Sequence, residues 1–422
     1  MKIAILNTSD TDGGAAIACM RLALALYEQK AEVQVIVKKQ QSNQPFVINA
    51  NTDFQKGIAF FNEWYERLRF VLEESSKSVR FAFSLANTGQ DITRLKAIQE
   101  ADIIHLHWIN KGFLSLKNLE QLTKLGKPIV WTLHDQWAFT GGCHYTKNCM
   151  NYQTGCGNCW YLKKPHQHDI SSKIWQKKQA VYAKLQPTII TCSQWLQQEA
   201  KQSTLLKPFE ALAIPNPIDS KIYKKSDKKA VRQKLNLPFD KKLILFLAGN
   251  VHTPRKGFQF LIAAFKQLKA QYPDFFNTIE LVLVGKSQPE IIEQLNFPIH
   301  RIGLVSEQAK IVDLYNANDV FVIPSMEDNL PNTVMESLSC GTPVLGFETG
   351  GIPEMVTHKY NGYIVPQKDV EGLVKGLIWI LENENRYQQL SKNAIEKVKN
   401  HYAYKAVAQR HLKLYNHLIQ QK

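Results

Sequence analysis

Three absences narrow the class of this protein before any motif is read. The chain has only seven cysteines in 422 residues and no apolar run near the ~18 residues that would argue a membrane span. It also lacks a G-x-G-x-x-G turn. So few cysteines exclude a small disulfide-stapled scaffold. The opening stretch MKIAILNTSD has one Lys and then the short apolar strand IAIL, without the roughly 7–15-residue apolar region and small-residue cleavage site of a signal peptide. A cytoplasmic location is the expectation, and a reducing cytosol disfavours structural disulfides. The missing fingerprint argues against a dinucleotide cofactor. Internal repeats at solenoid spacing and low-complexity tracts are absent as well.

What is present is the composition of a folded protein, 44% hydrophobic and 21% charged, in a chain long enough for two domains. Short apolar, β-branched runs alternate with helical patterns. KIAILN, EVQVIVK, ADIIHLHW, PIVWTLHD and PTIITCS read as strands, nearly continuous in apolar residues, as parallel strands covered on both faces require. The Pro-punctuated segment Ala213–Asp219 then marks a boundary. The alternation restarts with KLILFLAGN, TIELVLVGK, HRIGLV, DVFVIPS and TPVLGF. Two successive doubly wound α/β units follow from this order. In open parallel sheets ligands bind at the carboxyl ends of strands, so a cleft between two facing units is the expected active site and the loops after the strands carry the chemistry.

The formal charge of +15 admits nucleic acid, an anionic membrane surface or small anionic substrates. The densest run, Lys224–Lys242, is interrupted by Asp227 and Asp240 and reads mainly as a solvated face. Across Phe54–Phe83, Ile58, Phe61, Tyr65, Leu68 and Leu72 recur at helical spacing with Lys56, Arg67, Arg69, Lys77 and Arg80 between them. A helical aromatic stripe is usually core, and packing on the core is the leading expectation. Peripheral contact with an anionic membrane or a lipid-linked substrate is the alternative.

Four loops could hold a ligand. Gly13 and Gly14 follow the first strand and open a helix, where backbone amides can approach a phosphate closely. In NVHTPRKGF, Arg255 and Lys256 stand at the expected start of a helix, unfavourable against its dipole unless an anion lies between; a diphosphate clamp and a pair of solvated cations are both open. In SMEDNLPNTVMES, Glu327 and Asp328 precede a Pro turn and Glu336 falls in the following helix, suited to vicinal hydroxyls or to simple capping. Gly350 and Gly351 of GGIPEM end another strand.

The ordered set of GG loop, TLHD, IPN-x-ID, RKG, SMEDNLPNTVMES with CGTPV, and GGIPE resembles the family 4 glycosyltransferases of GT-B fold over nearly the whole chain. It resembles especially a bacterial polysaccharide-type branch with WTLHD-x-W-x-FTGGCHY followed by spaced cysteines. The resemblance implies an α/β GT-B architecture of two Rossmann-like domains facing a central cleft: 1–215 on the acceptor side with the Cys-rich loop 141–159, 216–395 binding the donor, and 396–422 a C-terminal helix packing back on the first domain. It implies a retaining, metal-independent transfer from a UDP- or GDP-sugar to a hydroxyl of a glycan or lipid-linked acceptor. Glu336 matches the second acid of the family's E-x7-E motif, on the donor ribose. Asp328 takes the first acid's place, where Glu is usual, with the amides of Asn329 and Leu330 on the donor sugar and Glu327 as a neighbouring alternative. Lys256 matches the diphosphate lysine. Asn250 stands where many members have the partner arginine, leaving Arg255 as its substitute or the clamp one cation short. His134 matches the histidine beside the reacting carbon, and Gly13 and Gly14 fall on the phosphate and acceptor side. The triplet Asp10-Thr11-Asp12 could in principle hold a catalytic cation, but it lies in the first loop and reads as loop chemistry.

Cys143, Cys149, Cys156 and Cys159 are separated by five, six and two residues, and the C-x2-C pair with its Gly suits a structural zinc ion. Free or partly disulfide-linked thiols are the other reading. His105 and His107 share a strand face at metal-compatible spacing, yet read as satisfied strand-end histidines. Cys19, Cys192 and Cys340 stand singly in apolar contexts and are expected in the core. A GT-B enzyme of another reaction, such as a nucleotide-sugar epimerase or a phosphorylase, is the nearest rival function. A zinc-containing nucleic-acid-binding protein is a rival of a different class, but it leaves the glycine loops and acidic pocket residues unexplained, so nucleic acid is not an expected partner.

Overall fold

The computed structural model describes residues 1–421 apart from Thr52 and 289–296, and for 53–56 the backbone alone. Phe54 and Lys56 of the expected stripe therefore lie outside the described side chains. The chain folds as two compact units, Met1–Pro217 with Val407–Lys422, and Ile218–Ala406.

In the first unit a seven-stranded sheet runs in the order β3-β2-β1-β4-β5-β6-β7. Its strands are β1 (Lys2–Ser9), β2 (Glu32–Lys39), β3 (Val47–Asn49), β4 (Ile103–Leu106), β5 (Ile129–Leu133), β6 (Thr188–Thr191) and β7 (Ala211–Ala213). In the second unit six strands are ordered β10-β9-β8-β11-β12-β13: β8 (Lys242–Asn250), β9 (Ile279–Lys286), β10 (Ile299–Gly303), β11 (Val320–Ile323), β12 (Val344–Phe347) and β13 (Gly362–Val365). Pairing is parallel throughout both sheets. Strand order reverses beside β1 in one sheet and beside β8 in the other, so both are doubly wound as expected. The expected long strands form because their apolar runs are buried on both faces: Ile103–Leu106 and Ile129–Leu133 are wholly buried. β3, β7 and β13, of three or four residues, all lie at sheet edges and are not among the expected strands.

Helices α1 (Gly14–Glu28), α2 (Asp53–Val71) and α3 (Ile170–Leu185) belong to the first unit. Helices α4 (Phe258–Gln271), α5 (Gln308–Ala317) and α6 (Asn332–Ser339) belong to the second. The last helix, α7 (Tyr404–Gln420), begins in the second unit and completes the first. The separate segment expected at 396–422 starts too early: 396–401 continue the helix Glu384–His401, whose buried Leu390, Ala394 and Val398 keep it with the second unit.

The basic run Lys224–Lys242 is mainly solvated, as expected, with two of its cations turned inward. Arg232 is buried and donates to Ala317 O, Lys241 O and Asp319, while Lys228 bonds Asp319 and Tyr387 Oη, so the run straps α5 to β8. Another expectation needs correction: the apolar stripe of α2 does not pack on the core. Phe60 is 75%, Phe61 57%, Trp64 51% and Leu72 64% exposed. The helix is anchored instead by its opposite side, where Phe70 is buried and stacks on Phe83 at 4.7 Å between ring centroids, and by polar contacts. Glu66 is buried and accepts from the amides of Ala86 and Gly112, Glu63 pairs with Lys38, and Asn62 donates to Gly89 O. These anchors leave the apolar stripe facing outward.

Candidate active site

The candidate residues fall into two groups, one in each unit. In the second unit Pro254–Lys256 form a single 3-10 turn, and α4 begins only after Gly257. Arg255 and Lys256 thus precede the helix, and their charge is met by an acid rather than opposed by the dipole. Lys256 Nζ lies 2.5 Å from Asp328 Oδ2, and Arg255 Nη1 lies 3.9 Å from the same oxygen. Arg255 also donates to Glu327 O at 3.3 Å, and its own carbonyl accepts Met326 N–H at 2.8 Å. The tight approach depends on Gly257, at φ +73°, where a Cβ would fall 1.8 Å from Pro324 O.

The acid loop is held from its other side by the GGIPE segment. Gly350 has φ +53°, and a Cβ there would meet Asp328 O at 1.7 Å; Gly351 N–H donates to Asn329 O. Asp328, Asn329 and Leu330 are buried by these contacts. The two glycines therefore shape the loop that carries Asp328. Asn250 does not join this cluster: exposed at the end of β8, it accepts from His252 N–H. Glu336 lies beyond the first turn of α6, so the helix dipole does not account for it. Its buried carboxylate accepts from Tyr315 Oη–H at 2.9 Å, from α5. A cavity of about 120 Å³ is lined by the end of β8, Lys256, Ser325 and Thr333. The Ser325 hydroxyl is buried there without a hydrogen-bond partner among the described residues. Tyr315, Ser325 and Thr333 are not among the expected site residues: Tyr315 lies outside every motif, Ser325 and Thr333 lie in SMEDNLPNTVMES without a distinguishing feature, and only the fold brings α5 against α6.

In the first unit Gly13, at φ +88°, caps α1, and both Gly13 and Gly14 are exposed. Asp10 is spent locally, accepting from the amides of Gln41 and Ser42, and Asp12 pairs with Lys39. His134 follows β5 at the centre of a polar chain. His107 Nδ1 is 2.9 Å from His134 Nε2, Cys192 Sγ is 3.5 Å from His134 Nδ1, and His107 packs on His105 at 4.4 Å between ring centroids. His105 in turn bonds Thr132 Oγ1 and, from α7, Tyr415 Oη, each at 2.7 Å. Burial lowers the pKa of His134 to about 4, so at neutral pH it is an uncharged hydrogen-bonding group. His105, in β4, is buried and bonded through both ring nitrogens as expected, whereas His107, one residue past β4, is buried with its Nε2 unpartnered among the described residues.

The neighbouring Asp135 is locked. Its carboxylate accepts from Trp108 Nε1, Trp137 N–H and His144 Nδ1, and His144 bonds Ser84 through its other nitrogen. Burial opposes its ionisation, but His144 and the N–H donors outweigh it and hold the pKa low. The pair in LHD therefore has divided roles, with Asp135 fixing the loop that carries the cysteines.

Cys143, Cys149, Cys156 and Cys159 are all free thiols lining one small cavity of about 20 Å³. Gly141 N–H donates to Cys156 Sγ at 3.0 Å. Burial raises the pKa of Cys156 to about 12 and that of Cys159 to about 11, which disfavours thiolate redox chemistry. Among the described residues no three His, Cys, Asp or Glu side chains stand close enough together to hold a metal ion. Beside the loop, the fully buried Lys178 donates to Trp137 O and Thr140 O and lies 3.6 Å from the Trp137 ring centroid. Cys19, Cys192 and Cys340 are buried singly.

Among known proteins, the chain is 25% identical over 225 residues to a D-inositol 3-phosphate glycosyltransferase of Thermobispora bispora, covering 50% of this chain and 52% of that one. It is 30% identical over 203 residues to the N,N'-diacetylbacillosaminyl-diphospho-undecaprenol alpha-1,3-N-acetylgalactosaminyltransferase of Campylobacter jejuni, covering 47% of this chain and 50% of that one. The chain thus spans about half the length of these relatives. The structure of Anabaena HepE in complex with UDP and glucose superposes with a TM-score of 0.63 at 17% identity, over 99% of both chains, a likeness of fold. No helix among the described residues is long and apolar enough to cross a membrane. The Glycosyltransferase Family 4 model matches residues 12–221 and the Glycosyl transferases group 1 model matches 227–397, so the chain belongs to the family 4, group 1 glycosyltransferases.

Proposed function

We propose that the protein is a retaining glycosyltransferase that moves a sugar from a UDP- or GDP-sugar to a hydroxyl of a glycan or lipid-linked acceptor in polysaccharide biosynthesis. The observation that carries this reading is the convergence of Lys256 and Arg255 on one carboxylate oxygen of Asp328 beside the β8 cavity. Asp328 occupies the position of an anion in a two-cation clamp. A donor diphosphate would take that position and free Asp328 for the sugar hydroxyls, while Glu336, oriented by Tyr315, accepts from the ribose. The two cations would stabilise the charge that grows on the leaving diphosphate, the role a metal fills elsewhere. Asp10 and Asp12 are engaged elsewhere, Asp10 by the amides of Gln41 and Ser42 and Asp12 by Lys39 at the end of β2. His134, neutral at pH 7, would hydrogen-bond the sugar rather than deliver a proton.

UDP- and GDP-sugars are expected to stabilise the protein without added metal, by about 2.7 kcal/mol at one hundred times Kd. A thermal-shift screen reads this directly, and a donor that acts only with a divalent cation would overturn the metal-independent reading.

The four cysteines are proposed to hold a structural zinc ion, for which the loop 141–159 must draw its thiols inward from the cavity they share. Burial lowers the pKa of Lys178 to about 7, and the negative charge of a zinc tetrathiolate would favour its protonated form. Purified protein should contain near-stoichiometric zinc with the four thiols protected from titration. Four titratable thiols and no zinc would remove the metal.

A further inference from the structure

We propose that His107 is a positioning residue for His134: it donates from Nδ1 to His134 Nε2, and so keeps the proton of His134 on Nδ1, offered to an oxygen of the transferred sugar. The inference rests on the proposed role of His134 beside that sugar. His107 Nδ1 lies 2.9 Å from His134 Nε2, a hydrogen bond between two imidazoles. Burial holds both rings below their ordinary pKa, so at neutral pH each carries a single proton. Between two neutral rings, one nitrogen of the pair must donate and the other accept.

The surroundings decide which ring donates. His107 is 3% exposed, and its Nε2 has no hydrogen-bond partner among the described residues. Were His134 the donor, the one proton of His107 would sit on that Nε2. A buried N–H would then stand unpaired, the kind of group folded proteins leave unpaired least often. With His107 donating, Nε2 carries only a lone pair. The proton of His134 then lies on Nδ1, 3.5 Å from Cys192 Sγ. The Cys192 thiol has other acceptors for its own hydrogen, Asn216 Oδ1 at 3.1 Å and Leu133 O at 3.3 Å, so its sulfur can receive. Sulfur is a weak acceptor, which a sugar oxygen would outcompete. His107 is itself fixed. Its carbonyl accepts Trp131 Nε1–H at 3.1 Å, and its ring packs at 4.4 Å against His105, which Thr132 and Tyr415 hold through both nitrogens. His134 is only half-buried, so the bond to His107 rather than enclosure sets the angle of its ring.

The first test uses the whole chain with nitrogen-15 in its histidines. Long-range proton–nitrogen spectra at pH 7, assigned through His134→Ala and His107→Leu, should show the proton of both rings on Nδ1. A proton on Nε2 of His134 overturns the proposal, and this measurement on the parent protein decides even where a variant fails to fold. Steady-state kinetics supply the second test. His107→Leu should lower kcat by about tenfold or more with the KM for the sugar donor nearly unchanged, because a turned His134 ring misplaces a contact to the reacting sugar. His107→Asn, whose amide N–H can stand in for Nδ1–H, should recover most of that loss. A merely structural role would show instead as a lower Tm and folded fraction that track the activity. Equal loss in the two variants at an unchanged folded fraction overturns the positioning role. Parental kinetics in His134→Ala would remove the role of His134 itself. A slow His134→Ala beside a His107→Leu that turns over like the parent would remove the positioning role alone.

Discussion

Lys256→Ala is expected to lower kcat/KM by about 100-fold or more, most of it in kcat, while the second unit stays folded. The lysine is one of two cations on a single carboxylate oxygen, and in the donor complex that position would carry diphosphate. Its interaction would strengthen as the sugar–phosphate bond breaks, so its loss falls on the transition state. Glu336→Gln is expected to behave differently. A ribose contact is made equally before and during transfer, so KM should rise with kcat nearly unchanged. Steady-state kinetics on both variants separate these roles. Wild-type kinetics in both would remove the proposed donor site, whatever the fold. Arg255 has the longer contact and greater exposure, so Arg255→Ala should cost less than Lys256→Ala.

Acid is expected to destabilise the first unit well before its carboxylates titrate. His105, His107, His134 and His411 are all held below their ordinary pKa, first by burial, with His134 and His411 at about 4. The groups facing them are Thr132, Tyr415 Oη, Cys192 and one another, with Asp135 the nearby charge that partly favours the protonated His134. A depressed pKa means the folded state binds fewer protons than the unfolded chain. The stabilisation is complete above the unfolded value of about 6.5 and is lost as pH falls toward 4. Each histidine that must take up its proton on unfolding contributes a slope of about 1.4 kcal/mol per pH unit, less for the partly exposed His134. Urea unfolding of the first unit at pH 7 and at pH 5 measures this. His411→Phe should flatten the slope, and equal stability at the two pH values would show that the histidines are not buried neutral.

Much of this architecture was legible because its information is local. Parallel strands covered on both faces must be continuous apolar runs, and β1, β4, β5, β8, β9 and β11 are such runs, so two doubly wound units could be read off their order. The glycine loops were legible for a related reason: only glycine tolerates φ +53° with the carbonyl of Asp328 at its back. The edge strands β3, β7 and β13 were less legible, since their residues are only partly buried and form no continuous apolar run like those of the central strands. The α2 stripe was misread because periodicity reports that a face is apolar without saying what covers it.

The resemblance of RKG and SMEDNLPNTVMES to the family's motifs put Lys256, Asp328 and Glu336 on the donor list; the residue types alone left ligand binding and a structural role both open. Three-dimensional packing alone decided what each of them touches. It set Lys256 and Arg255 on one oxygen of Asp328 across a separation of some seventy residues. It gave Glu336 a tyrosine partner from another helix, and it tied His134 through two further histidines to Tyr415, 281 residues away in the chain. Such contacts arise from strand register and helix docking, which sum many weak burial terms over the whole unit. No short window of sequence contains them.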